Sequence, residues 1–134
     1  MKKSSAKKSP QPTHINPPVL SQIVFPNMLN HCGTMFGGEA LKMMDMAASI
    51  LATRYCRKTV VTVFTDQIEF KVPILQGELV ELSGEVIKTG RTSMTVRVDV
   101  FTENLLSGER KLCTTGNFVM VAVDKKMKPT PIKK

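Results

Sequence analysis

The stretch from Asn30 to Tyr55, NHCGTMFGGEALKMMDMAASILATRY, constrains this chain more than any other. Glycines at 33, 37 and 38 suit backbone that turns tightly or comes very close to another group, because no Cβ stands in the way. From Glu39 onward neither Gly nor Pro interrupts the chain until Gly77 and Pro73, and Ala, Leu, Met and Lys dominate the first half of that run. This predicts a helix of about 16–18 residues ending near Tyr55, where Arg54, Arg57 and Lys58 suit the negative end of its dipole. The first-turn amides of a helix have no partner inside it, and the dipole adds partial positive charge at the same end. A helix beginning at Gly37-Gly38 therefore offers an open, electropositive end to a carbonyl oxygen or an anion.

At about 100° per residue, Ala40, Leu41, Met43, Met44, Ala47, Ala48, Ile50 and Leu51 cover most of the circumference, as expected of a helix wrapped by protein. Lys42, Asp45, Ser49 and Thr53 form one narrow polar stripe. Asp45 has two readings on residues alone. It pairs with Lys42 three residues back, an interaction worth about 0.2–0.5 kcal/mol, or it is a functional carboxylate placed in a helix interior that Asp does not favour.

The 134 residues and 42% apolar content fit one domain with an ordinary core. No segment approaches the ~20 apolar residues that cross a bilayer. Residues 1–18, MKKSSAKKSPQPTHINPP, are basic and rich in Ser and Pro without an apolar run behind them. They read as a disordered arm rather than a secretory signal, and their prolines and lack of Arg argue against a mitochondrial presequence. The formal charge of +8 is unevenly spread. Four of the 19 basic residues lie in residues 1–18 and five in the Lys-rich tail, residues 125–134, leaving ten against all 11 acids between them, a net of minus one. With one Tyr, no Trp and no recognisable module, dedicated nucleic-acid binding is not expected.

Cys32, Cys56 and Cys113 are odd in number and lack C-x-x-C spacing, which supports neither a disulfide framework nor a metal site. His31 and Cys32 are adjacent, but neighbours in sequence usually point apart and no second His lies nearby to serve as a base. A reducing, cytoplasmic setting is expected.

Along the chain, Val19–Phe25 reads as a short strand. After the helix the period changes. Thr59–Phe70 is β-branched and aromatic, a long strand whose Asp66 and Glu69 read as a solvated face. Glu78–Lys88 and Thr92–Glu103 alternate around a tight turn at Thr89-Gly90, with Met94, Val96, Val98 and Val100 set against Thr95, Arg97 and Asp99. Asn104–Gly108 is a second hairpin loop, and Glu109–Asp124 returns as a strand apolar on both faces over FVMVAV, as expected mid-sheet. Beyond Asp124, KKMKPTPIKK reads as solvated and mobile. The order gives an α+β fold over residues 19–124, one antiparallel sheet wrapped around one helix.

The residues N-x-x-G-x-x-F-G-G-x₆-D (Asn30, Gly33, Phe36, Gly37, Gly38, Asp45), F-x-x-P-I-x-x-G-[DE] (Phe70, Pro73, Ile74, Gly77, Glu78), K-x-G-R-[ST]-S (Lys88, Gly90, Arg91, Thr92, Ser93) and F-V-x-V-A-V-D (Phe118–Asp124) follow in order. In this they resemble the hotdog-fold acyl-CoA thioesterases, and most closely the bacterial YciA-type acyl-CoA thioester hydrolases. The resemblance runs from about Val19 to Asp124. It implies a curved sheet around a central helix and a dimer with edge-to-edge sheets as the minimal unit. It further implies assembly into a hexamer, a trimer of dimers, and an active site at the dimer interface.

Carried over by position, Asp45 matches the catalytic carboxylate, Asn30 the loop amide, and Gly38 the helix-end amide that polarises the thioester oxygen. Phe36 and Gly37 fall beside it as substrate-binding positions, and Lys88, Arg91, Thr92 and Ser93 fall in the turn that helps hold CoA. No metal and no separate cofactor are implied, since CoA is part of substrate and product. The segment MDMAAS departs from relatives that often carry Gly after the Asp-Met pair, which implies either a narrower cavity by Ala47 or another route for the acyl chain.

The chemistry suits these residues. A thioester under attack gains charge on its oxygen, and an amide at a helix N-terminus is already aimed at it. Asp45 can activate water or attack directly. Two rivals remain at this point. One is an acyl-CoA-binding hotdog domain without turnover; the other is a hotdog dehydratase, whose catalytic His would not fall at His31.

Overall fold

The computed structural model describes residues 17–133. The arm expected over residues 1–18 lies outside the described residues except for Pro17 and Pro18. Five strands, β1 (Leu20–Ile23), β2 (Val60–Phe70), β3 (Leu79–Thr89), β4 (Ser93–Glu103) and β5 (Arg110–Ala122), form one antiparallel sheet in the order β1-β3-β4-β5-β2. Helix α1 (Gly37–Cys56) lies between β1 and β2 in sequence and packs over one face of the sheet. A short 3-10 helix, Pro26–Met28, leads from β1 into the glycine-bearing loop. This is the expected α+β arrangement, with strand ends within a few residues of those read from alternation.

The long hairpins follow from the alternation in β3 and β4. Val80 and Leu82 are paired opposite Thr102 and Val100, so the apolar positions of both strands share one face. Met94, Val96, Val98, Val100, Phe118 and Met120 turn inward and are essentially removed from water. Against them α1 lays Ala40, Met43, Met44, Ala47, Ala48 and Ala52. The alanines bring the helix backbone close to the sheet. Gly84 leaves room on both sides, because a Cβ there would fall well inside contact with the Arg97 carbonyl oxygen of β4 and stand 3.1 Å from Leu51 Cδ1 of α1.

Three features differ from the sequence reading. The helix starts at the Gly37-Gly38 pair as expected, with Phe36 as its N-cap, but is longer, at 20 residues; Arg57 ends it in the left-handed region (φ 56°), its amide bonded to the Thr53 carbonyl at 2.6 Å. Within this chain α1 is also not wrapped. Its Lys42, Asp45, Met46, Arg54 and Tyr55 side is exposed, and Leu41, Ile50 and Leu51 are only partly buried. Finally, the Lys-rich tail is not loose. Asp124 Oδ1 accepts from the Lys126 and Lys128 amides, Thr130 N–H returns to the Ala122 carbonyl at 2.8 Å, and Ile132 is buried in the core.

The two edges of the sheet are unequal. β1 has four residues, whereas β2 presents 11, with Val63, Phe64 and Phe70 each 55% exposed. Irregularities between Thr62 and Phe64 and between Asp66 and Glu69 bend this edge strand, and Gln67 adopts φ 54° at the second.

Candidate active site

The loop before α1 is built by Asn30. Its Oδ1 accepts from the Cys32 amide at 2.8 Å and the Thr34 amide at 3.1 Å, while its Nδ2 donates to Thr34 Oγ1 at 3.1 Å. The Asn30 backbone amide donates to the Thr34 carbonyl at 2.7 Å, and Gly33, at φ 83°, makes the reversal possible. Within one chain, the amide assigned to the reaction thus closes its own turn.

That turn delivers Phe36 to the helix start. The Phe36 amide donates to the Met28 carbonyl at 3.0 Å, and its carbonyl accepts from the Glu39 and Ala40 amides at 3.0 and 3.2 Å. Among the described residues, no hydrogen bond uses the Gly37 or Gly38 amide. Gly37 packs under the Phe70 ring, where a Cβ would stand 3.4 Å from the ring, whereas a Cβ at Gly38 would meet nothing within 4 Å. Gly38 therefore presents an open backbone amide at the positive end of α1. Beside it lies a cavity of about 260 Å³ bordered by Phe36, Gly37, Ala40, Phe70, Ile74 and Thr114.

Asp45 sits on the exposed side of α1 and does not pair with Lys42; among the described residues, none of the ion pairs includes either side chain. Its Oδ1 instead accepts from Thr62 Oγ1 on β2 at 2.5 Å. Thr62 is a partner of Asp45 that the sequence reading does not single out. The only signal was a hydroxyl at a position where the inward period of the strand asks for an apolar side chain.

Within this chain the expected site residues are not gathered in one place. Gly38 and Asp45 share a helix but are seven residues apart, about 10 Å along its axis. Lys88 and Arg91 are exposed at the β3–β4 turn, with Thr92 and Ser93 half-buried beside them. Ser93 pairs with Val121, next to Ala122 and Val60 at the start of β2, while Gly37 lies against Phe70 at its end. The 11 residues of β2 thus set the turn roughly 30 Å from the helix N-terminus.

His31 and Cys32 are exposed on the loop. Burial pushes the Cys113 thiol up, with a Thr102 contact at 3.2 Å opposing the shift, so this group is held away from the reactive thiolate. Asp66 and Glu69 are exposed as expected, Glu69 bonded to Lys71 at 2.9 Å. Glu78 is nearly buried and accepts the Leu75 amide at 2.8 Å, a structural closure of the connector before β3. Among the described residues no group of three or more His, Cys, Asp or Glu side chains could hold a metal ion, and no helix is long and apolar enough to cross a membrane.

The chain's relatives share this architecture. Residues 32–108 match the family model of the thioesterase superfamily. A Bacillus subtilis protein named as an uncharacterized acyl-CoA thioester hydrolase, YkhA, is 41% identical over 81% of this chain and 63% of its own length, so the chain spans less than two thirds of that relative. The Salmonella typhimurium acyl-CoA thioester hydrolase YciA is 32% identical over 85% of this chain and 88% of its own. The crystal structure of a hexameric broad-specificity acyl-coenzyme A thioesterase, an Asp-to-Ala mutant enzyme, superposes with a TM-score of 0.85 at 32% identity, over 88% of this chain and 87% of that one. One long helix against a five-stranded antiparallel sheet is the hotdog fold of these neighbours, and the chain belongs to the thioesterase superfamily.

Proposed function

We propose that this chain hydrolyses the thioester of an acyl-CoA to free CoA and a carboxylic acid, in a site shared by two copies of itself. The observation that carries this reading is the pairing, on one helix, of an open amide at Gly38 with a carboxylate at Asp45 that lies too far along the axis to serve the same carbonyl. A reacting carbonyl touches both only if they come from different chains.

In this reading the Gly38 amide, beside Gly37 and Phe36, accepts the charge that develops on the thioester oxygen. Asp45 of the other chain activates water, which adds to the carbonyl carbon, or attacks that carbon itself; in either route the C–S bond breaks and the thiolate leaves as CoA, and in the second the mixed anhydride left on Asp45 is then hydrolysed by water to the free acid and the restored carboxylate. Asn30 orders the loop and orients the reacting water or carboxylate. Lys88, Arg91, Thr92 and Ser93 hold the nucleotide end of CoA from a chain other than the one supplying Gly38, which fits their position at the far end of the sheet. The reaction as written requires no separate cofactor or metal.

The long, apolar open edge of β2 supports a dimer joined edge to edge, since an unpaired strand of this length invites pairing. A hexamer built as a trimer of such dimers, and a cytoplasmic setting, complete the proposal.

The test is release of free thiol from a panel running from acetyl-CoA to palmitoyl-CoA. Turnover on at least one member is expected. Tight binding of acyl-CoA without thiol release would favour a binding domain instead.

A further inference from the structure

We propose that Thr62 is a positioning residue for this reaction: its hydroxyl fixes Asp45 through Oδ1 and leaves Oδ2 as the oxygen that meets the water or the thioester. The inference rests on the reading of Asp45 as the reacting carboxylate. An exposed Asp on a helix is ordinarily free to change rotamer, and its two oxygens are equivalent. Here they are not. Oδ1 is held at 2.5 Å by Thr62, whereas no hydrogen bond to Oδ2 occurs among the described residues.

The anchor is itself placed by the sheet. Thr62 is paired with Met120 in the β2–β5 ladder and, being β-branched, has few χ1 choices. The irregularity that follows it sends Phe64 opposite Val119, on the outer face, so Thr62 keeps its inward aim toward α1 while the next residues turn away. Its hydroxyl has one proton and two acceptors in reach, Asp45 Oδ1 at 2.5 Å and Met120 Sδ at 3.3 Å. A carboxylate is much the stronger acceptor, and the thioether is a weak one. The bond thus ties the middle of α1 to the edge strand, and Asp45 is held against the sheet edge where a second chain would bring its Gly38. Misplacement of a reacting group by about 1 Å can cost 10²-fold in rate, which is the scale on which such an anchor acts.

The experiment measures steady-state kinetics on the best acyl-CoA for Thr62→Val, Thr62→Ser, Asp45→Asn and the double variant Asp45→Asn/Thr62→Val, with sedimentation of each. Thr62→Val should lower kcat about 10- to 100-fold with little change in KM, and Thr62→Ser should recover most of the loss. Its melting temperature should barely move, because Asp45 is exposed and water can replace the lost donor. In the Asp45→Asn background Thr62→Val should change nothing further, since there is no reacting carboxylate left to position.

Full kcat in Thr62→Val beside an inactive Asp45→Asn would overturn the positioning role and leave the reaction reading intact. An equal loss in both backgrounds, or a loss that tracks dissociation of the assembly, would make Thr62 structural and overturn it as well. An active Asp45→Asn would overturn both.

Discussion

Gly38 and Asp45 stand on the same helix, separated by two turns, with the amide of one open at the helix end and the carboxylate of the other turned to the sheet edge. In the proposed reaction each completes a site only with the other's counterpart on a second chain. This arrangement makes the shared site testable by mixing. Gly38→Pro removes the amide without breaking any hydrogen bond among the described residues; proline is accepted in the first helical turn, and Gly37, lacking Cβ, relieves part of the clash with the ring. Loss of such a donor should lower kcat by 10²–10³-fold. Gly38→Ala, which keeps the amide and has open space for its Cβ, should stay active. When Gly38→Pro and Asp45→Asn chains exchange subunits at equal amounts, two-fold symmetry gives half mixed dimers with one intact site each, so activity should recover to about a quarter of wild type. Native mass spectrometry that shows mixed dimers without recovered thiol release would contradict the shared site.

Asn30 is expected to matter for the loop as well as for the reaction. Asn30→Asp keeps the oxygen that accepts from the Cys32 and Thr34 amides and should fold with nearly unchanged Tm. Asn30→Ala removes the acceptor that closes the turn and should cost about 0.5–1.5 kcal/mol, read by denaturant unfolding of both variants beside wild type.

The tail should prove to be part of the fold. Ile132 is buried, its amide donates to the Arg91 carbonyl at 3.0 Å, and Lys58 Nζ bonds the neighbouring Pro131 carbonyl. Ile132→Ala should therefore cost about 2–4 kcal/mol. Hydrogen exchange should show faster opening of the β3–β4 turn in the same variant, because that turn loses the residue that straps it down.

Much of this architecture could be read before the structure. Gly37-Gly38 followed by an uninterrupted Ala- and Met-rich run announces a helix start, and the strict alternation from Met94 to Val100 announces a strand with one buried face. What could not be read depends on pairing between distant segments. Ile132 is one apolar residue among prolines and lysines, with no period to reveal that it docks. Thr62 reads as an ordinary strand threonine until the fold sets it against Asp45. Lys88 and Arg91 share a motif order with Gly38, yet the strand register puts them at the opposite end of the sheet. The exposed side of α1 is not legible from a hydrophobic count around the helix, because Leu41, Ile50 and Leu51 add to that count although the fold leaves them only partly buried.

Stability should respond to pH through Asp99. Burial raises its pKa above the usual carboxylate value, with Arg97, 3.4 Å away, opposing and Glu85 adding slightly. The folded state then holds this proton more tightly than the unfolded one. The group's favourable contribution is full below about pH 3.9 and is lost as pH rises through the folded value. Asp99→Asn removes that dependence, so its Tm relative to wild type should be more favourable at pH 7 than at pH 4. Differential scanning calorimetry at the two values checks the sign.

In the proposed reaction Asp45 is the group that performs the chemistry. Asp45→Asn keeps the volume and can still accept from Thr62, but it removes the base and the nucleophile together. Thiol release from the preferred acyl-CoA should show kcat lowered by ~10²-fold or more, with the assembly and acyl-CoA affinity retained. An Asp45→Asn enzyme turning over at the wild-type rate would contradict the account.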